Sequence, residues 1–191
     1  MSFYDLIVSR RSIRQFRQKR VSRDILERLV DTARLAPSAA NRQPLEFVVI
    51  DEQKTVKQIF PYLKWAAYIA PEGNPKLGHE PAAYIVILAN TEVSEKGYEW
   101  DVGAAVENMI LTALEDGIGS CWLVSVDRDK VREILNIPVK YKIDSVLALG
   151  YPAETPVIED MNGSVKYWKD NKAKLHVPKR KLEDVIHLNR F

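Results

Sequence analysis

Only one cysteine, Cys121, stands in the 191 residues, so no disulfide can form within the chain and the frameworks of small disulfide-rich domains are excluded. Three histidines, His79, His176 and His187, lie too far apart for the spacing of a metal site. No run of 18 apolar residues occurs, which argues against a membrane-crossing helix. The stretch from Met1 to Ser9, before Arg10 and Arg11, lacks the long apolar core and cleavage site of a secretory signal. A cytoplasmic protein without a metal is expected. Glycine is sparse as well, with eight residues. Gly117-Ile118-Gly119-Ser120-Cys121-Trp122 begins like a Gly-x-Gly-x-x-Gly motif, but its sixth residue is tryptophan, and it lies between an expected helix and an expected strand rather than the reverse. No P-loop and no Gly-x-Ser-x-Gly elbow occur, and His79-Glu80 lacks the second histidine of a zincin helix.

What is present describes a foldable chain. Apolar residues make up 46% and charged residues 28%, ordinary values for a globular protein, and the length suits a single domain over 1–191. The net charge of +2 hides an uneven distribution. Residues 1–42 carry ten Lys and Arg against four Asp and Glu, residues 166–191 carry eight against three, and residues 43–165 carry ten against nineteen. Two basic ends around an acidic middle suggest convergence on an anion such as a phosphate, or simply two solvated ends.

Apolar spacing gives the elements. An amphipathic segment, Phe3 to Val8, runs into the Arg-rich stretch 10–17. Ser22 has the position of an N-cap, Val21 is placed to pack on Leu26, and Ile25, Leu26, Leu29, Val30 and Ala33 repeat at helical spacing. Strands are expected at Leu45 to Ile50, Ala82 to Ala89, Ser120 to Val126 and Ile143 to Leu149. Asp51 is expected to cap a helix that Pro61 breaks or kinks, Val102 to Leu114 marks the most periodic helix, and Asp127 caps another. The last forty residues hold few apolar runs and an Asn162-Gly163 turn signal; 160–191 reads as an arm packing on a partner subunit.

Four segments carry ligand-like chemistry. Arg10-Arg11-Ser12-Ile13-Arg14 groups three guanidinium ions and a hydroxyl at a helix-to-loop junction, donors that suit a phosphate; a solvated surface or a nucleic-acid patch is the other reading. Pro37-Ser38-Ala39-Ala40-Asn41-Arg42-Gln43-Pro44 offers directed polar groups between two prolines, with small alanines that admit a flat ring, or is an ordinary turn. Gly117 to Leu123 lets backbone amides approach a ligand, or is a helix C-cap followed by a core strand. Pro178-Lys179-Arg180-Lys181 is a basic tail. Trp65 and Tyr68 either stack on a ligand or belong to the core.

Taken in order, Arg-Arg-Ser-x-Arg at 10–14, Ala-Pro-Ser-x-x-Asn-x-Gln-Pro at 36–44, Gly-x-Gly-Ser-x-Trp at 117–122, Leu-x-Leu-Gly-Tyr-Pro at 147–152 and the ending Lys-Arg-x-Leu-Glu-Asp-Val-Ile-His at 179–187 resemble the FMN-dependent nitroreductase family over most of the chain. The resemblance implies an α+β fold, a three-layer α/β/α domain with a central, mostly antiparallel sheet, in an intertwined homodimer with two FMN sites at the interface. It implies hydride transfer from NAD(P)H through the flavin to an electron-poor acceptor, nitroaromatic or quinone-like, with ping-pong kinetics. Carried over, Arg10, Arg11 and Ser12 hold the FMN phosphate and ribityl chain, and Arg14 is the catalytic cation at the pyrimidine edge. Pro37, Ser38, Ala39 and Asn41 reach the flavin from the other subunit, supported by Gln43. The backbone of Cys121, Trp122 and Leu123 meets the ring, and Lys179 and Arg180 are the tail's phosphate ligands. The segment between the first two strands, part of the flavin cover in that family, is short here and carries Pro61, Trp65, Tyr68, Pro71 and Pro75. The acceptor is therefore open, with a dedicated flavoenzyme such as a reductive dehalogenase, or a non-enzymatic flavin- or nucleic-acid-binding protein, as alternatives.

Overall fold

Ser2 starts the first helix, α1 (Phe3–Ser9), through a reciprocal cap: its hydroxyl accepts from the Asp5 N–H and its own N–H donates to the Asp5 carboxylate. These and all later features belong to a computed structural model that describes residues 2–191. Helix α1 buries none of its residues. Ser22 caps α2 (Arg23–Arg34), accepting from the Ile25 N–H at 3.4 Å, and Val21 and Leu26 are buried in one cluster.

Side-chain alternation sets the layers. Strands β1 (Leu45–Ile50), β2 (Ala83–Asn90), β3 (Gly119–Leu123) and β4 (Tyr141–Gly150) form an antiparallel sheet in the order β1-β2-β4-β3. Ile85 and Ile87 of β2, with Leu147 and Leu149 of β4, pack against α2 and α4 (Tyr98–Glu115). Tyr84, Val86 and Leu88, with Val146 and Ala148, face α3 (Gln53–Ile59) and α5 (Arg128–Leu135). The central strands are therefore covered on both faces, and β2 reads as a continuous apolar run rather than an alternating one. Each Leu or Ile fully buried there contributes about 1.5–3 kcal/mol.

Three features differ from the sequence expectations. Glu52, not Asp51, is the N-cap of α3, because the Arg23 guanidinium engages the Asp51 carboxylate at 2.6 and 2.9 Å. Strand β3 ends at Leu123 because the chain beyond it leaves the sheet: the Lys64 N–H donates to the Ser125 carbonyl, the Asp127 N–H donates to the Tyr62 carbonyl, and Val126 bridges Leu63. The tail is more ordered than its composition suggests. β5 (Val157–Asp160), β6 (Trp168–Lys169) and β7 (Leu175–Lys179) make a second sheet, β5-β7-β6, too short and too charged to register as periodic. His176 pins it, stacking on Trp168 with 4.2 Å between ring centroids and hydrogen-bonding the Glu159 carboxylate at 2.9 Å. Residues 180–191 lie exposed, with Leu182, Val185, Ile186, Leu188 and Phe191 open to solvent.

Candidate functional site

Backbone bonds fix the Arg10–Arg14 segment alongside β3. Ser12 bridges Ser120 in parallel, and the Ile13 N–H donates to the Ser120 carbonyl at 2.8 Å. Gly119 permits the approach, since a Cβ there would stand 2.8 Å from the Ile13 side chain. Arg10 and Arg11 then line an open cleft of about 220 Å³ with Gly119, Ser120, Glu154 and Thr155. The Arg11 guanidinium donates to the Val8 carbonyl at 2.8 Å and to the Arg10 carbonyl, yet its Nε is buried with no partner. Burial, and then the neighbouring Arg10, lower the Arg11 pKa without discharging it. Arg10 sits 3.5 Å from Glu107 of α4, a partly exposed pair worth at most about 1 kcal/mol. The Arg14 N–H donates to the Glu154 carboxylate at 2.5 Å, and its guanidinium lies 5.3 Å from the Tyr167 ring centroid. The Arg14 Nε is likewise buried and unpartnered. Two such nitrogens within five residues are costly unless an acceptor reaches them.

Strand β3 turns Cys121 and Leu123 into the core and Trp122 outward, where the indole N–H donates to the Ser145 hydroxyl at 2.7 Å. Burial pushes the Cys121 thiol up to about 11, with Arg14 opposing and Glu154 adding to the rise. The thiol stays neutral and is no nucleophile.

The Pro37–Pro44 loop is strained and anchored. Ala40, Asn41 and Gln43 have φ of +51°, +52° and +50°, each costing about 1–2 kcal/mol for a residue with a side chain. The Asp101 carboxylate, 6% exposed, accepts from the Ala39 N–H at 3.0 Å. The Ser38 hydroxyl accepts from the Gln43 N–H at 3.1 Å, and the Gln43 amide donates to the Asn41 carbonyl at 3.3 Å. Pro37, Ser38 and Gln43 line a second cleft with Phe47, Asp101 and Ala105.

The loop cleft touches α4 at Asp101 and Ala105 and the arginine cleft touches it at Ile110 and Leu114, so along the helix their near edges are about 7.5 Å apart and their far edges about 20 Å. Within one chain, Arg10 and Arg11 line one cleft and Pro37, Ser38 and Gln43 another, with no lining residue in common. Lys179 and Arg180 line neither cleft; Lys179 ends β7 and Arg180 folds onto the Asp184 carbonyl. Trp65 is core, at 5% exposure, whereas Tyr68 is exposed and packs on Tyr167, their rings tilted by 54° with centroids 5.0 Å apart. Sequence reasoning missed Glu154, Tyr167 and Asp101. Of these only Asp101 left a trace, as an acidic residue in the apolar face of α4.

The model of the Nitroreductase family matches residues 7–151. This chain belongs to the nitroreductase family. As a nitroreductase it is an oxidoreductase, and its layered fold is the one that the resemblance implied. It is 33% identical over 156 residues to a protein of Archaeoglobus fulgidus whose name places it among NADH dehydrogenase/NAD(P)H nitroreductases, covering 78% of this chain and 84% of that one. It is 24% identical over 164 residues to an iodotyrosine deiodinase of Thermotoga neapolitana, covering 78% and 88%. Among solved structures, an FMN-dependent nitroreductase of Clostridium difficile superposes with a TM-score of 0.68 at 25% identity, over 97% of this chain and 98% of the other. One from Desulfovibrio desulfuricans, named as a nitroreductase in complex with FMN, has a TM-score of 0.72 at 21% identity over 100% and 98%, a likeness of fold.

Proposed function

We propose that this nitroreductase binds FMN between two copies of the chain and uses NAD(P)H to reduce an electron-poor acceptor, nitroaromatic or quinone-like, with ping-pong kinetics. The reading rests on the arginine segment bridged to Ser120 through Ser12, with buried, unpartnered guanidinium nitrogens at Arg11 and Arg14. The donor set fits the group: a phosphate and a pyrimidine edge both present acceptors, and charge-assisted bonds of this kind are the strong ones. Bound FMN supplies the chemistry of taking up a hydride and passing it on. The chain supplies position and field. Arg10, Arg11 and Ser12 bind the phosphate, and exposed Lys179 and Arg180 add charge from the tail. Arg14 holds a cation where negative charge develops, its backbone fixed on Glu154 and its guanidinium set against Tyr167. The backbone of Cys121, Trp122 and Leu123 lines the ring side, and Tyr68 with Tyr167 shields it from water.

The second copy supplies Pro37, Ser38, Ala39 and Asn41, braced by Gln43, since within one chain that loop lines a cleft separate from the arginine cleft. Exposed Phe3, Tyr4, Ile7 and Val8 on α1, and the apolar residues of 182–191, are surfaces that such a dimer buries, with the 160–191 arm extending onto the partner. The test is direct: the purified protein is expected to be yellow, dimeric and bleached by NAD(P)H, and a colourless monomer that ignores added FMN overturns the reading. Arg14→Ala is expected to slow NAD(P)H-driven reduction about 10²–10³-fold while FMN affinity falls much less, and equal losses in stopped-flow and in FMN titration would remove Arg14 from the catalytic role. The deiodinase relative favours a second acceptor class, halogenated phenols, and kcat/KM for these against nitroaromatics and quinones decides between them.

A further inference from the structure

Behind the Glu154–Thr155 wall of the arginine cleft lies another cleft, of about 380 Å³, with a different lining. It opens between the 76–79 turn and the β6–β7 turn, where Gln15, Lys76, His79, Lys169, Lys172 and Lys174 surround it. Glu154 and Thr155 line both clefts. Among the described residues, no carboxylate comes within 4.0 Å of any of the four ammonium groups. Lys169 Nζ donates to the Glu72 carbonyl at 2.8 Å. Two nearby carboxylates hold backbone N–H groups rather than ammonium groups. Glu154 accepts the Arg14 and Gln15 N–H groups, and Asp170 accepts the Lys172 and Lys174 N–H groups and faces His176.

The cleft has a fixed frame beneath its mobile ammonium ends. Gln15 is 8% exposed; its side chain accepts from the Lys76 N–H at 3.1 Å and donates to the Asn74 carbonyl at 2.9 Å. Asp170 shapes the turn that presents Lys172 and Lys174. His79 adds an Nδ1 that is buried without a partner. The four ammonium groups outnumber the two carboxylates near the cleft, Glu154 and Asp170, and raise a local positive potential that an anion relieves.

We propose that this lysine cleft binds the phosphate groups of the nicotinamide dinucleotide and makes the 2′-phosphorylated donor, NADPH, the preferred one. The identity of the ligand as hydride donor rests on the FMN reading above. Three observations favour it. The shared Glu154–Thr155 wall puts the cleft next to the arginine cleft but outside it, a separate place for a second ligand's anionic groups. The chain has no Gly-x-Gly-x-x-Gly turn, so a pyrophosphate bound here would be held by these side-chain cations rather than by that turn. A phosphate monoester brings about −1.5 to −2 beyond the two pyrophosphate charges, so NADPH brings roughly twice as much negative charge to this cationic cleft as NADH does.

Calorimetric titration with adenosine 2′,5′-bisphosphate, adenosine 5′-monophosphate and inorganic phosphate tests this on the protein as purified and after FMN removal. The bisphosphate is expected to bind both forms at least about tenfold more tightly than the monophosphate, and less tightly as salt rises. The double variant Lys172→Ala/Lys174→Ala, on an exposed turn and checked by Tm, is expected to lose about tenfold or more of that affinity. It should also lower kcat/KM for NADPH more than for NADH, so that the NADPH-to-NADH ratio falls several-fold. A bisphosphate no tighter than the monophosphate, or a variant with unaltered binding and ratio, overturns the proposal. Inorganic phosphate binding as well as the bisphosphate would make the cleft a simple anion site and overturn the dinucleotide assignment. Variant-sensitive bisphosphate binding to a protein that never takes up FMN would leave the phosphate site standing and bring down the flavin reading instead.

Discussion

A thiol beside a guanidinium is commonly taken for a reactive one, and Cys121 shows how burial outweighs the neighbour. Its pKa rises from 9.0 to about 11 although Arg14 pulls it down, so at neutral pH it carries no thiolate and serves only to fill space under β3. Thiol reagents are expected to leave Cys121 unmodified in the native protein at about pH 8 and to modify it in denaturant. Because the folded pKa is raised, its contribution to stability is complete below the unfolded value near 9 and is lost as pH rises through about 11. The buried Tyr84 hydroxyl, raised by desolvation and then by Glu80, acts in the same direction. Denaturation midpoints that did not fall across that alkaline range would contradict both. The arginines were legible as residue types; which of their nitrogens are sealed off was not, because that depends on Ser120 and Glu154, more than a hundred positions away in the chain.

Among the elements, β3 and the Pro37–Pro44 loop position the site, and each hinges on one residue. Gly119→Ala would press a methyl group onto Ile13 and is expected to cost about 1–3 kcal/mol, read as a lower Tm, together with weaker FMN uptake as the arginine segment lifts from the strand. Asp101→Ala strands the Ala39 N–H and frees a strained loop; about 1–3 kcal/mol is expected, and an unchanged Tm with unchanged FMN titration would refute the anchoring role. Periodicity revealed the four sheet strands and the five helices because each has a broad apolar face. It missed β5, β6 and β7, whose order comes from a His176–Trp168 stack and carboxylate bonds, and such side-chain specifics have no period. Asp51 misled for the same reason, since its partner Arg23 lies outside any local window.

At the level of the molecule, the basic ends lie apart within one chain. Lys169, Lys172 and Lys174 gather with Lys76 around the cleft of their own chain, Lys179 and Arg180 face solvent, and Arg10 to Arg14 sit against β3. A charge count reports how many cations a segment holds and is silent about which of several clefts receives them. The separation of the arginine cleft and the strained loop along α4 has an effect of its own. In the proposed dimer each flavin site draws its two halves from different polypeptides, so damage in the two halves should be complementary. Purified Arg11→Ala protein and purified Asp101→Ala protein, each defective in both of its sites, would on subunit exchange form hybrids in which one site gathers both lesions and the other gathers none. Random pairing would then return roughly a quarter of the wild-type FMN content from two inactive parents, whereas sites contained within single chains would return nothing.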